Sequence, residues 1–143
     1  MKIVLASDHA ALDLRAYLVE KLVMAGHDTT EVGALSTDAY DYPDAADELA
    51  NALPNHDFGI VICGTGIGIS IRANRYPQIR AALCTTEYMA EMAREHNDAN
   101  VLALGARVVG TEQAWAITKA FLVGKSSEVP RHIARVEKLG RPI

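Results

Sequence analysis

Cysteine is scarce in this sequence: the 143 residues contain two, Cys63 and Cys84. Two thiols cannot form the disulfide framework of a small secreted domain, and they are too few for a structural zinc site unless histidines complete it. Long apolar runs are missing too. None approaches the roughly 18 residues of a membrane helix, and the apolar stretch at residues 3–6 is too short for the core of a signal peptide. We therefore expect a cytoplasmic protein with no membrane partner.

Basic residues are in the minority, with 14 Lys and Arg against 18 Asp and Glu and a net charge of −4. No basic stripe runs along the chain, which argues against a nucleic-acid partner and makes any local cluster of Lys and Arg informative. Half of the residues are hydrophobic and 22% are charged, the balance of an ordinary globular domain with a sizeable core. The length fits one domain, which we expect to span residues 1–143.

Short apolar runs alternate with longer segments of helical period along the whole chain. The clearest run, FGIVIC at residues 58–63, is apolar on both faces, as in a central parallel strand. The alternation predicts an α/β fold with a parallel sheet covered on both faces. The predicted strands are 2–7, 27–32, 58–63, 80–84 and 100–104, and the predicted helices are 10–25, 41–53, 69–75, 86–96, 111–123 and 128–139.

Ligands of such sheets bind outside the carboxyl ends of the strands, and the third predicted strand ends in the segment CGTGIGIS, from Cys63 to Ser70. Its glycines, Gly64, Gly66 and Gly68, let the backbone approach an anion and aim N–H groups at it. The third glycine of a dinucleotide fingerprint is missing, and so is the Gly-Lys-Ser/Thr of a P-loop. The pattern favours an anion-binding turn with a stabilised thiolate at its mouth. A buried cysteine at a strand end, followed by a plain tight turn, explains it equally well.

Two further segments carry acidic or imidazole groups. Asp8 and His9 follow the first strand and suit sugar hydroxyl binding and proton transfer, although Asp8 or Ser7 could instead cap the next helix. His96 lies where the fourth helix ends. It could act as a general acid or base in the same crevice, or it could simply be favoured there by the helix dipole.

Arginines cluster near the end of the chain. Arg131 and Arg135 are four residues apart, so both guanidinium groups project from one helical face, an arrangement suited to clamping a phosphate. Arg107, after the fifth strand, could join that clamp. The alternative is a solvated face on which the arginines pair with nearby glutamates.

Taken together, these segments resemble the B-type ribose-5-phosphate isomerase family, which includes the galactose-6-phosphate and allose-6-phosphate isomerases. The resemblance runs from Met1 to about Leu139. It is carried by SDHAALDLRAYL, DYPDAA, ICGTGIGISIRANR, IRAALC, REHNDANVLALGARVVG and PRHIARVEKL. It implies a single Rossmann-like three-layer α/β/α domain with a five-stranded parallel sheet, and an aldose–ketose isomerase that needs no metal or other cofactor. The implied assembly is a homodimer or a dimer of dimers, with active sites at the subunit interface.

The resemblance also assigns roles to residues. It implies that Cys63 moves the proton between C1 and C2 of the sugar, since Ile69 stands where one branch of the family has a glutamate base. Ribose 5-phosphate is the expected substrate, with allose or galactose 6-phosphate, or a non-catalytic phosphosugar-binding role, as alternatives. The implied site comprises Cys63, Thr65 and His96 as catalytic residues; Asp8, His9, Gly64, Gly66, Gly68, Ser70 and Asn97 as substrate-binding residues; and Arg107, Arg131 and Arg135 as phosphate ligands.

The sequence departs from the family pattern in the helix after the glycine-rich turn. Arg72 replaces a residue that is often small, and Arg75 stands where lysine is common. If Arg72 touches the substrate, the preferred sugar could differ from ribose 5-phosphate. We expect His96 to reach the crevice from the partner of the chain that supplies Cys63.

Overall fold

Five strands and six α-helices alternate along the chain in a computed structural model that describes residues 1–141. The strands are β1 (Lys2–Ser7), β2 (Asp28–Gly33), β3 (Phe58–Cys63), β4 (Ala81–Leu83) and β5 (Val101–Gly105). The helices are α1 (Leu12–Met24), α2 (Tyr42–Ala52), α3 (Ile67–Ala73), α4 (Glu87–Asn97), α5 (Thr111–Val123) and α6 (Pro130–Leu139), with 3-10 turns at His9–Ala11 and Leu53–Asn55. Both parts of the sequence prediction, strand–helix alternation and a five-stranded parallel sheet, are confirmed.

All strand pairs of the sheet are parallel, and the strand order is β2-β1-β3-β5-β4. After β1 the chain places β2 on one side of that strand, and it later returns to place β3 on the other side of β1. This reversal opens a crevice at the carboxyl ends of β1 and β3, the place where ligands bind in open α/β sheets. Asp8 and Cys63 lie at its two walls, because Ser7 pairs with Ile62 in the register.

Two hydrophobic cores cover the sheet, one on each face. On one face, α1 and α5 bury large side chains such as Leu18, Ile117 and Phe121 against β1, β3 and β5, and α4 adds Ala90 and Ala93. On the other, α2 and α3 bury Leu49 and Ile69. Successive strand residues alternate between the two cores, which explains why the central strands read as continuous apolar runs. The fold is the three-layer α/β/α arrangement that the resemblance implied.

Several elements have boundaries that differ from prediction, and glycine or proline sets two of the helix starts. α3 begins at Ile67, two residues earlier than predicted, because Gly66 adopts a left-handed conformation (φ 77°) and the helix starts at once. α6 begins at Pro130, not at residue 128, because the residue before a proline is driven to extended backbone, as Val129 is. β4 is three residues long rather than five.

A buried guanidinium ties the end of β1 to the loop after β2. Arg15, in α1, donates from Nη1 to the Ser7 hydroxyl (2.9 Å) and from Nη2 to the Ala34 carbonyl (2.8 Å), and it pairs with Glu31 at 3.0 Å. These bonds satisfy polar groups that would otherwise be buried without partners. They fix the start of the segment that carries Asp8 and His9.

None of the helices between residues 1 and 141 is long and apolar enough to cross a membrane.

Candidate active site

Cys63 is the last residue of β3 and is 4% exposed. Its Sγ accepts a hydrogen bond from the backbone N–H of Gly66 at 3.2 Å. A backbone donor aimed at the sulfur favours negative charge there, the form in which a thiol acts as a base or nucleophile. The turn therefore folds back onto the cysteine that begins it.

The turn after Cys63 packs against the end of β5 at positions that admit only glycine. A Cβ on Gly66 would lie 2.5 Å from Leu83 Cδ1 and 2.8 Å from the carbonyl carbon of Leu104. A Cβ on Gly105 would lie 2.5 Å from the Thr65 carbonyl oxygen. Close backbone approach, and not flexibility, accounts for these glycines.

Most backbone donors of the turn remain free. The N–H of Ile67 donates to the Thr65 hydroxyl at 3.2 Å, which fixes that hydroxyl beside the turn. The N–H groups of Gly64, Thr65 and Gly68 make no hydrogen bond within residues 1–141. Such unpaired N–H groups can receive an oxyanion.

Ser70 lies one helical turn further on and is 8% exposed. Its hydroxyl donates to the Ile67 carbonyl at 2.8 Å, so its proton is already engaged within α3. Ser70 can offer a ligand only an oxygen lone pair, not a donor, in this conformation.

Asp8 and His9 form the other wall of the crevice. The Asp8 carboxylate accepts from the Ala10 N–H at 3.0 Å, so it caps the short turn that precedes α1, as the alternative interpretation of the sequence proposed. Its second oxygen is left for a ligand. His9 is half-buried, and its Nδ1 lies 3.0 Å from the backbone nitrogen of Tyr40.

Arg107 follows β5 and lies over Gly64. Its backbone N–H donates to the Gly64 carbonyl at 3.0 Å, and a Cβ on Gly64 would lie 3.2 Å from Arg107 Nη1. The guanidinium is thus at the mouth of the turn that starts with Cys63. One chain therefore brings together Asp8, His9, Cys63, Gly64, Thr65, Gly66, Gly68, Ser70 and Arg107.

The remaining predicted residues lie at the opposite edge of the sheet. α4 starts beside the carboxyl end of β4 and runs back, so His96 and Asn97 lie near the amino ends of the strands. There, Asp98 contacts Arg80, and Asn97 lines a cavity of about 390 Å³. The five residues of β5 separate the two edges by about 16 Å. Within one chain, His96 and Asn97 do not reach Cys63.

Helix α6 accompanies His96. The His132 ring packs on the His96 ring with centroids 4.4 Å apart, which places Arg131 and Arg135 at this edge as well. Burial lowers the pKa of His132, and the nearby His96, Arg131 and Arg135 lower it further. His132 is therefore neutral near pH 7 and serves as a packing surface for His96.

The second thiol, Cys84, is buried. Burial raises the pKa of Cys84 to about 11, so Cys84 stays protonated near neutral pH.

The Arg72 guanidinium makes two hydrogen bonds to Asp47, at 2.7 and 2.9 Å, and lies over the Tyr76 ring. Arg72 thus joins α3 to α2, and its donors face Asp47 rather than the crevice.

Across residues 1–141, no group of three or more His, Cys, Asp or Glu side chains is placed to hold a metal ion.

Comparison with known proteins identifies the family to which this chain belongs. The sequence model of a family described as Ribose/Galactose Isomerase matches residues 3–139. The chain belongs to the ribose/galactose isomerase family.

Among relatives of this family member, the Escherichia coli "Ribose-5-phosphate isomerase B" is 44% identical over 140 residues, covering 96% of this chain and 93% of the relative. The Pectobacterium atrosepticum "D-erythrulose-4-phosphate isomerase" is 41% identical, covering 98% and 93%. The solved structure of Clostridium thermocellum ribose-5-phosphate isomerase B superposes with a TM-score of 0.94 at 46% identity, covering 98% of this chain and 95% of that one. The family, the fold and the enzyme class, a sugar-phosphate isomerase, are thus confirmed.

Sequence reasoning missed two tyrosines of this isomerase. The Tyr42 ring covers Gly68, where a Cβ would lie 2.6 Å from its Cε2 and Cζ, and the Tyr40 backbone contacts His9. Local sequence patterns hold no signal for either contact, because each joins residues more than 20 positions apart. The DYPDAA segment, which contains Tyr42 and is part of the resemblance, is the one hint the sequence offered.

The tight packing of the turn predicts that Gly66→Ala lowers the free energy of unfolding substantially. The left-handed backbone alone costs about 1–2 kcal/mol for a residue with a Cβ, and the contacts with Leu83 and Leu104 add to it. Gly26→Ala is a matched control, since Gly26 has a similar φ of +88° but nothing within 4 Å of a Cβ. In urea unfolding, Gly66→Ala should lose clearly more stability than Gly26→Ala. Equal losses would show that the turn is not packed as described.

Proposed function

We propose that this protein interconverts D-ribose 5-phosphate and D-ribulose 5-phosphate, with the Cys63 thiolate as the base. The observation that carries the proposal is a thiol at a strand end whose Sγ accepts from the Gly66 N–H, beside further unpaired N–H groups. A base and a set of oxyanion donors in one crevice are what proton transfer next to a carbonyl requires.

In the proposed mechanism the thiolate removes the proton on C2 of the open-chain aldose, and the electron pair moves onto the carbonyl oxygen. The resulting cis-enediolate is stabilised by the free N–H groups of Gly64, Thr65 and Gly68. The hydroxyl proton on O2 then passes to O1, and the thiol returns its proton to C1, which gives the ketose and regenerates the thiolate. One aimed donor of this kind is typically worth about 3–4 kcal/mol of transition-state stabilisation.

Two observations favour Cys63 over the other candidate bases. The raised pKa of Cys84 keeps that thiol protonated, and Cys84 lies at the end of β4, away from Asp8 and His9. Position 69, where a carboxylate base is the alternative, is a fully buried isoleucine.

We also propose that each site is shared across a two-fold homodimer, or within a dimer of dimers. Cys63 and His96 are at opposite edges of one sheet, so a crevice containing both needs a second chain. A two-fold axis would bring His96, Asn97, Arg131 and Arg135 of one chain to the Cys63 crevice of the other. The phosphate would then be held by Arg107 together with the α6 arginines.

Helix α6 supports this assembly through its exposed apolar side chains. Ile133 is 46% and Leu139 58% exposed, and His132 is the one buried residue of the helix. A helix that leaves its apolar residues uncovered in one chain is suited to packing against another chain.

The substrate should be decided by a panel of sugar phosphates, because relatives of similar identity are named for sugars of five and of four carbons. We expect ribose 5-phosphate to show the highest kcat/KM, ahead of erythrulose 4-phosphate, allose 6-phosphate and galactose 6-phosphate, in a coupled assay. Unphosphorylated ribose should be a poor substrate. Binding of ribose 5-phosphate without turnover would instead identify a non-catalytic phosphosugar-binding protein.

Replacing the proposed base should abolish chemistry but not binding. Cys63→Ser should lose nearly all turnover, because a hydroxyl is too weak an acid to supply an anionic base near neutral pH. It should still bind ribose 5-phosphate in a calorimetric titration. Cys84→Ser is the control and should keep nearly full activity. Wild-type-like turnover by Cys63→Ser would contradict the assignment.

The shared site predicts that two inactive variants restore each other. Cys63→Ala and His96→Ala chains, co-refolded, should form hybrids with one intact and one doubly damaged site. Random mixing makes half of the dimers hybrids, so activity should return to about a quarter of wild type. Each variant refolded alone is the control. Inactive hybrids would show that both residues serve a site within one chain.

A further inference from the structure

The tautomer of His9 is set by the backbone of a residue 31 positions away. The Tyr40 N–H points at His9 Nδ1 with an N···N distance of 3.0 Å. To accept this bond, Nδ1 must carry a lone pair, so the proton of the neutral ring must lie on Nε2. The opposite tautomer would place two N–H groups against each other. In that tautomer the Nδ1–H could donate instead to the Tyr40 carbonyl oxygen, which lies 3.3 Å away.

Tyr40 is itself anchored by Glu48, in α2. The Tyr40 hydroxyl donates to Glu48 Oε1, and Glu48 Oε2 accepts the Gly33 N–H at 2.9 Å. The hydrogen bond to Glu48 is the main cause that raises the pKa of Tyr40 to about 12, so the phenol keeps its proton under physiological conditions. One carboxylate therefore joins the end of β2, the following loop and α2.

Gly33, the residue at the end of β2 that donates to Glu48, is tightly packed. Gly33 has a φ of +87°, and a Cβ there would lie 2.5 Å from the Ser7 carbonyl oxygen. Ser7 immediately precedes Asp8 and His9. Gly33, which donates to Glu48, is thus packed against the end of β1, two residues before His9.

We propose that Tyr40 and Glu48 are positioning residues that hold His9 as the Nε2–H tautomer, so that it presents a hydrogen-bond donor to an anionic or hydroxyl oxygen of the substrate. With Nδ1 bound to the Tyr40 backbone, Nε2 is the nitrogen left for a ligand. A ring held in this way donates without first rotating or exchanging its proton, which lowers the cost of binding. The benefit to substrate rests on the proposed function, whereas the tautomer itself does not.

Nitrogen NMR of the histidine side chains tests the tautomer on ligand-free protein. At about pH 8, where an unperturbed imidazole is neutral, the His9 signals, assigned by their loss in His9→Gln, should show a protonated Nε2 and an unprotonated Nδ1. A protonated Nδ1 would overturn the proposal. This measurement needs no turnover, so it stands or falls separately from the isomerase assignment.

Tyr40→Phe and Glu48→Gln test the anchor. Each should yield a mixture of His9 tautomers and raise KM for ribose 5-phosphate about three- to tenfold, with kcat changed less than about twofold. A merely structural role would lower the active fraction, and hence kcat, without raising KM.

Two substitutions serve as matched controls. Tyr17→Phe removes a hydroxyl that makes no hydrogen bond within residues 1–141, and Glu20→Gln removes an exposed α1 carboxylate. Both should leave the tautomer and KM unchanged. If Tyr40→Phe and Glu48→Gln fold and behave like these controls in both measurements, the anchor has no positioning role.

Discussion

The backbone of the turn after β3 is in direct contact with the backbone at the end of β5, and the geometry around Cys63 depends on that contact. A side chain introduced at Gly66 or Gly105 would meet backbone atoms of Leu104 or Thr65. Such a contact cannot relax by rotating a side chain. The Gly66 N–H is therefore held against Sγ before any ligand arrives, and donors fixed in advance need no reorganisation when charge develops on a substrate oxygen.

Much of this arrangement could be predicted from local sequence. The bounds predicted for β1 and β3 match the structure, because their runs are apolar on both faces and end abruptly at Asp8 and Gly64. The rule that ligands lie at the carboxyl ends of parallel strands then groups Asp8, Cys63 and Arg107, and the structure places all three at that edge. The predicted helix over residues 86–96 matches α4 to within one residue, and Thr86 caps that helix, since its hydroxyl accepts the Met89 N–H at 3.2 Å.

Contacts between distant segments could not be predicted, because periodicity shows which face of an element is buried but not what covers it. The bonds of His9 to Tyr40 and of Arg72 to Asp47 are of this kind. The position of His96, by contrast, follows from the strand–helix order that the sequence itself predicts. A helix that follows a parallel strand must run back towards the amino edge, so a residue at its end lies far from the carboxyl ends. The same topology that forms the crevice thus places His96 at the other end of the strands.

The strand order also governs how the two thiols respond to oxidation. Cys63 ends β3 and Cys84 follows β4, and β5 lies between these strands. Two strand spacings put them about 9.6 Å apart, beyond the roughly 7 Å limit for the Cα atoms of a disulfide. A sulfenic acid formed on Cys63 would therefore find no resolving thiol in its own chain, since the sequence has no third cysteine. Its repair depends on a thiol from outside, such as a small-molecule reductant that can enter the crevice.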